Sequence, residues 1–349
     1  MVHGGYSRSK SVPLYVLPPA FYEDFLKVQT YWFSRTPELS LPAPRNCDTS
    51  AVIREPQAEP LHAAPLASRA GIGIALGGGF ARGFAHLGVL QVLQQNQIPI
   101  SHIAGTSVGS ILGAAYASGA PLARIIETCR TLRFRDIARW RVSRLGLASN
   151  QRLGELIERV FSSRQFEELQ IPLAVVATDL SSGEPVIFTE GNLVEAIRAS
   201  CAFPGLFEPV EIGTRCLADG GLVAPVPTHA ARRLGAKTVI GVSVGVQDGR
   251  RGAPTNIFQV VSRAVSAAQN HQLEVWERHA DLVLRPDVQS LAWDDFHRAE
   301  EAIQAGVLTA QRALPRIQKL LEKRAEAERN LQAQLEIEDA SLHLREVLA

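Results

Sequence analysis

The stretch Ile103-Ala104-Gly105-Thr106-Ser107-Val108-Gly109-Ser110, followed by a run of small residues from Ile111 to Ala120, constrains this chain more than any other. It reads as a short buried strand, a sharp turn and a helix. Gly105 and Gly109 flank Ser107 at the G-x-S-x-G spacing of a nucleophile elbow, a turn that strains its serine and leaves no room for larger neighbours. The serine oxygen then lies near the N-terminus of the following helix, where unpaired N–H groups and the positive dipole end favour developing negative charge. A glycine- and serine-rich turn without chemistry has the same spacing. The elbow by itself leaves both readings open.

A second glycine motif lies upstream. Gly71 to Leu76 is a short apolar run with strand character, and Gly77-Gly78-Gly79-Phe80-Ala81-Arg82-Gly83 follows it directly. Phe84, Leu87, Leu90 and Val92-Leu93 then recur at helical spacing. The order is strand, glycine loop, helix, then strand, serine elbow, helix. Consecutive glycines let backbone N–H groups approach a ligand without intervening side chains. Beside a serine nucleophile, such a loop is where an oxyanion hole is built.

Nucleotide readings of the loop fit poorly. A Walker loop needs Lys followed by Ser or Thr after its last glycine, and Phe84 stands there. A dinucleotide fold needs an acidic residue some twenty positions on, yet no Asp or Glu occurs between Leu61 and Ile126. The same acid-free interval means that a base for Ser107 is His86, His102 or a group from far along the chain. The best distant candidate is Leu217-Ala218-Asp219-Gly220-Gly221, an apolar stub ending in an aspartate and two glycines.

The ordered set of the glycine loop from Gly77 to Gly83, Gly105-Thr106-Ser107-Val108-Gly109 and Asp219-Gly220-Gly221 resembles the patatin-like phospholipases. Arg82 before the last loop glycine is similar to the bacterial and neuropathy-target-esterase branch. Ala177-Thr178-Asp179-Leu180, Gly183-Glu184, Ala196-Ile197-Arg198-Ala199-Ser200 and Phe203-Pro204-Gly205 match as well. The resemblance runs from Gly71 to Val244, with a weaker echo to Leu321. One departure stands out: Pro225-Val226-Pro227 occupies the place of the family's Asn-x-Pro.

The resemblance implies a serine acyl hydrolase acting on ester-linked acyl chains of lipids. Ser107 is then the nucleophile and Asp219 its direct base. The oxyanion hole is drawn from Gly77, Gly78, Gly79, Arg82, Gly83 and Val108, with Gly78 and Gly79 as principal N–H donors and Arg82 bracing the loop. Gly105 and Gly109 shape the elbow; Gly220 and Gly221 let the acid turn pass close to the serine. Neither metal nor cofactor is expected. Two alternatives remain. One is a triad of Ser107, Asp219 or Asp179, and a late histidine such as His271 or His279; the other is a non-catalytic lipid-binding or regulatory protein on the same fold. Asp179 is the rival acid, and beside Ser181-Ser182-Gly183 its bland role is to bond the local backbone.

The remaining chain supplies context. A formal charge of +1 argues against nucleic acid as the main partner. Cys47, Cys129, Cys201 and Cys216 are scattered and lack metal-ligand spacing, which suits a reducing compartment. The start, Met1-Val2-His3-Gly4-Gly5, is not a signal peptide, so a cytoplasmic location with peripheral membrane contact is expected. Residues 1–68 read as a Pro-rich arm and linker, 69–290 as the acyl hydrolase domain, and 291–349 as C-terminal helices with a charged tail. The aromatic arm from Tyr15 to Phe33 and the basic stretch Arg133 to Ser149, with Arg139, Arg141 and Arg144 around Trp140, are the two candidate membrane surfaces. The run Ile98 to Leu122 carries no formal charge, but its Gly, Ser and Pro content argues against a spanning helix.

Apolar strands alternating with helices predict an α/β fold: a mainly parallel sheet with helices on both faces, in three layers, plus extra helices at the C-terminus. The expected elements include a capped helix from Asn150 to Phe161, one long helix from Thr255 to Ala280, and two helices between Asp295 and Leu321.

Overall fold

Strands at the centre of the chain carry different residues on their two faces, and that alternation builds the layers. β1 (Ile72–Leu76) turns Ile72, Ile74 and Leu76 to one side and Ala75 to the other. β2 (Ile100–Thr106) divides Ile103 from Ala104, and β5 (Leu173–Asp179) divides Leu173 and Val175 from Ala174 and Val176. The bulky face packs under α1 (Ala85–Gln95), α2 (Val108–Ala117), α3 (Leu122–Thr131) and the start of α10 (Ala299–Leu348). The alanine face admits α7 (Thr228–Arg233) and Trp276 of α9 (Leu273–Glu277).

The computed structural model describes residues 71–348 apart from 141, 142, 144, 162, 246–252, 255 and 256. The aromatic arm, and Arg141 and Arg144 of the basic stretch, lie outside the described residues.

β7 (Val210–Ile212), β8 (Arg215–Asp219), β9 (Val239–Val242) and β10 (Leu282–Leu284) complete a sheet ordered β10-β9-β1-β2-β5-β8-β7. Strands β10, β9, β1, β2 and β5 run parallel; β8 joins β5 antiparallel, β7 joins β8 antiparallel, and β6 (Pro185–Phe188) forms a hairpin with β5. This is the expected α/β sandwich with an antiparallel edge. The register positions the site: Thr106 pairs with Val176, and the next residue, Ala177, pairs with Asp219. The elbow that follows β2 and the acid that ends β8 are thereby held at adjacent levels on either side of β5.

Three local expectations are corrected. The segment from Thr255 is two helices, α8 (Ile257–His271) and α9, broken at Gln272, whose side chain donates to the Leu222 carbonyl at 3.1 Å. The C-terminal region is one helix of 50 residues, entered through a short 3-10 turn at Phe296–Arg298. It continues through Pro315 because Ala310, Ala313 and Ile317 are buried on both sides of that residue, and packing outweighs local propensity. Gly88 and Gly306 allow this helix to touch α1: a Cβ at Gly306 would lie 1.9 Å from the Ala85 carbonyl oxygen. Asn150 stands at the start of α5 (Gln151–Val160), yet its side chain makes no cap. Its amide donates instead to the Arg198 carbonyl at 2.7 Å, tying α5 to α6 (Leu193–Ser200).

The basic stretch contains α4 (Phe134–Ile137) and a two-residue pair, β3 (Arg139–Trp140) with β4 (Ala148–Ser149). Among the described residues no helix is long and apolar enough to cross a membrane.

Candidate active site

Ser107 sits between the end of β2 and the start of α2 at φ 54° and ψ −126°. A non-glycine residue there is strained, and strain of this kind persists only where surroundings over-determine it. The restraints are visible. Ser107 N–H donates to Ser200 Oγ at 2.9 Å, and Ser200 Oγ–H donates to the Val176 carbonyl at 2.6 Å. The Ser107 carbonyl accepts from Ser110 N at 2.8 Å and from Ser110 Oγ at 2.6 Å. The flanking glycines are dictated by space: a Cβ at Gly109 would lie 2.1 Å from the Leu76 carbonyl oxygen, and one at Gly105 would lie 2.5 Å from Ser110 Cα.

Asp219 ends β8 and faces Ser107 from within the protein, with 4% of its surface exposed. Its Oδ1 accepts from Gly221 N–H at 2.7 Å, and Thr178 Oγ1 donates to its backbone carbonyl at 2.8 Å. From α8, Gln269 Nε2 donates to the Gly221 carbonyl at 2.8 Å and pins the acid turn. Gly220 passes so close to β5 that an added Cβ would lie 2.1 Å from the Val176 carbonyl oxygen. Burial raises the Asp219 pKa to about 6, opposed by hydrogen bonding from Ser107 and from Gly221 N–H. A carboxylate poised there is a better proton acceptor at neutral pH than an exposed one.

The glycine loop follows β1 and leads into a 3-10 turn at Phe80–Phe84. Gly77 N–H donates to the Val242 carbonyl at 3.0 Å and Gly78 N–H to the Pro225 carbonyl at 3.1 Å. Sequence reasoning expected Gly78 as a principal donor, but in this structure its N–H is taken. Pro225 belongs to the very segment that departs from the family pattern. Among the described residues, the Gly79 N–H has no hydrogen-bond acceptor. Val108, as the first residue of α2, has no intrahelical acceptor for its own. Arg82 Nε donates to the Gly79 carbonyl at 3.3 Å, which braces the loop. Gly83 packs against Val108, where a Cβ would lie 2.2 Å from Val108 Cγ1.

Other sequence candidates lie elsewhere. His86 is wholly buried, and its Nε2–H donates to the Gly77 carbonyl at 2.8 Å while burial lowers its pKa to about 4. It is a neutral support for the loop. His102 Nδ1 meets Ser101 Oγ, and the His229 and His279 rings stand 5.0 Å apart. Among the described residues no histidine lines either cavity at Ser107, and Asp179 lines neither; its Oδ1 accepts from Ser181 N–H at 2.9 Å. Among the described residues there is no metal-binding cluster of His, Cys, Asp and Glu.

Ser107 belongs to the walls of two cavities. One, of about 80 Å³, is apolar, lined by Val108, Ile111, Leu112 and Ala115 of α2, by Ile125 of α3 and by Ile157 of α5. The other, of about 380 Å³, holds Asp219 with Gly79, Arg82, Arg285, Asp287 and Gln289. Phe80 also lines both, at φ 52°, its ring edge-on to Phe203 and Trp293 at centroid distances of 5.3 and 5.2 Å. Sequence reasoning passed over Phe80 as a mere loop residue. Its only signal was position, directly after the glycines. Cys201, buried between Ser107, Ser110 and Asp219, has its thiol pKa pushed up, first by burial and then by the Asp219 charge.

Residues 74–232 match the family model for patatin-like phospholipases. The chain carries a patatin-like phospholipase domain. An uncharacterized NTE family protein of Mycobacterium tuberculosis is 37% identical over 176 residues, 50% of this chain and 49% of that protein. The human patatin-like phospholipase domain-containing protein 6 is 33% identical over 51% of this chain and 14% of its own length. Lysophospholipase NTE1 of Debaryomyces hansenii is 28% identical over 73% of this chain and 19% of its own. These relatives are consistent with the NTE-like branch of the family. The chain spans about half the length of the mycobacterial relative it matches and smaller shares of the other two.

Proposed function

We propose that the patatin-like domain is a serine acyl hydrolase that cuts single-chain lipid esters with a Ser107–Asp219 dyad. One observation carries the reading: a strained, buried serine faces a buried carboxyl at the boundary between an apolar and a polar cavity. Ester substrates have the same division, with an acyl chain on one side of the scissile bond and a polar alcohol on the other.

The steps follow from the positions. Ser107 Oγ attacks the ester carbonyl carbon as its proton passes to the Asp219 carboxylate. The N–H groups of Gly79 and Val108 hold the resulting oxyanion, aided by the N-terminal end of α2. Collapse breaks the bond to the alcohol, which leaves into the polar cavity with the proton from Asp219. Water enters from that side, gives its proton to Asp219 and attacks the acyl-enzyme. A second collapse passes the proton from Asp219 to Ser107 Oγ as the acyl bond breaks, freeing the fatty acid and restoring the carboxylate. The Debaryomyces relative is named a lysophospholipase, which agrees with one apolar cavity for one acyl chain.

Membrane contact belongs to the same reading. The β3–β4 hairpin exposes Leu145 to 69% and Leu147 to 37%, and Arg139, in its first strand, is exposed as well. A fluorophosphonate probe tests the chemistry. It should label wild-type protein at Ser107, found by peptide mass, and should fail on Ser107→Ala. Labelling elsewhere, or none on protein that is folded, refutes the dyad.

A further inference from the structure

One flank of the apolar cavity is made of side chains with two faces. Thr128, Leu132 and Leu156 line the cavity from within, and the same three residues line an open basin on the surface with Arg135, Arg152 and Arg159. Each is half-buried, so the partition between cavity and solvent is one side chain thick. Elsewhere the wall contains Ile125, Ile157 and Phe161, which are buried. Close-packed residues of that kind yield only by straining their neighbours. A leucine with one face in water changes rotamer freely, within picoseconds to nanoseconds at exposed positions. The basin also holds Thr131, Asp136 and Glu155, so it offers hydrocarbon a partial cover made of side-chain stems rather than an apolar floor. Arg152 Nη1 donates to the Arg135 carbonyl at 2.9 Å, laying its stem between α5 and α4. Arginine stems of this kind cover apolar chain while their heads remain in water.

Resting on the serine hydrolase reading, we propose that Thr128, Leu132 and Leu156 form a gate that decides how the enzyme accepts acyl chains longer than its cavity. Shorter chains end inside. Longer ones pass between these side chains and continue along the arginine stems of the basin. Val108, Ile111, Leu112 and Ala115 line the cavity as one stripe of α2. That stripe spans about 10 Å at the helical rise, an upper bound on the enclosed chain, since a cavity of about 80 Å³ holds only a few methylenes. Within it each methylene should raise kcat/KM about fourfold, the equivalent of the transfer free energy of a buried CH₂. Past the gate the gain per methylene should shrink, because the basin covers only part of the chain.

A series of p-nitrophenyl esters from butanoyl to hexadecanoyl reads this directly. The wild-type profile should bend once the chain outgrows the cavity, well short of hexadecanoyl. The hexadecanoyl-to-butanoyl ratio of kcat/KM should rise about tenfold in Leu156→Ala and fall about tenfold in Leu156→Trp, each checked for folding by circular dichroism. A ratio unchanged in both variants overturns the gate. A second readout avoids altering the wall. In Arg152→Cys, an exposed position, prior reaction of Ser107 with a hexadecyl fluorophosphonate should slow thiol labelling at residue 152, followed by peptide mass. A butyl reagent should not. Equal labelling after both reagents overturns the gate while leaving the hydrolase reading intact. Failure of every ester and of fluorophosphonate to react removes the hydrolase reading, and the gate with it.

Discussion

The two cavities that meet at Ser107 differ in nearly everything except the residues that divide them. The apolar one is walled by α2, α3 and α5, and the polar one by the acid turn, α8 and the loop carrying Arg285 and Asp287. Ser107 and Phe80 are the two residues common to both linings, and both hold positive φ, at 54° and 52°. The contrast shows where strain is used. Backbone forced into a sparsely populated region places one hydroxyl and one ring at the boundary between media, where the proposed ester substrate would lie across it. On the proposed reading, chemistry there needs dry surroundings for the oxyanion and water access for deacylation, and the boundary offers both.

The largest effect breaks the boundary at its reactive atom. Ser107→Ala should lower ester cleavage by at least roughly four orders of magnitude, as loss of a nucleophile does in serine hydrolases. Asp219→Asn should cost on the order of a thousandfold or more, because the amide cannot accept the serine proton. Replacing His86, His102, His229, His271 or His279 should in each case bring only partial loss, largest at His86, which supports the glycine loop. A folded histidine variant as inactive as Ser107→Ala would replace the dyad with a triad.

Asp219 also makes the comparison a matter of pH. With its pKa raised to about 6 by burial, kcat/KM should rise with pH through a limb near that value and level above it. The sign for stability is the reverse. The folded protein holds the Asp219 proton more tightly than the unfolded chain, so the stability tied to this group is full below about pH 4. It declines as pH rises and is lost above about 6, a change on the order of 3 kcal/mol. Asp219→Asn should therefore melt higher than wild type at pH 7, with the gap closing toward pH 4. A wild-type advantage at pH 7 would mean that the carboxylate is stabilised by groups other than those seen around it.

Smaller effects come from the loop. Gly79→Ala should lower kcat about a hundredfold with little change in KM, since an oxyanion donor acts on the transition state. Its new methyl meets Val244 Cγ2 at 2.6 Å and tilts the peptide. A rise in KM at constant kcat would mark the loop as a head-group site. Phe80→Ala removes the half-buried ring that separates the cavities and should cut activity about tenfold by admitting water beside the acyl chain. Equal activity would show that Ser107 divides the cavities alone.

Much of this was legible in the chain, for a physical reason. Apolar alternation and glycine spacing are local properties, so β1, the elbow and the glycine loop could be read directly. Asp219 was legible as an acid followed by glycines. Three things were not legible, because each depends on partners distant in sequence. Gly78 loses its N–H to Pro225, and only the fold brings that carbonyl near. Asn150 reads as a helix cap, yet its amide serves the far end of α6. Pro315 looks like a helix end, and the packing of α10 on α1 carries the helix through it.

The smallest effect tests the proposed membrane contact and which cavity's side would make it. The β3–β4 hairpin belongs to the apolar side: Ala148 bridges Phe207, and Phe207 lines that cavity. Its exposed Leu145 and Leu147 offer apolar anchors, and Arg139 pairs with Ser149 in the same hairpin. Anionic lipid attracts a basic residue near its surface by about 1 kcal/mol, so Arg139→Ser should weaken vesicle binding about fivefold. Changing Arg139, Arg141 and Arg144 together should weaken it further, and the difference from wild type should fade as salt screens the charges. Co-sedimentation with anionic vesicles across a salt series measures both. Binding that ignores salt and these arginines, but disappears when residues 1–40 are deleted, would transfer docking to the aromatic arm and detach it from the acyl cavity.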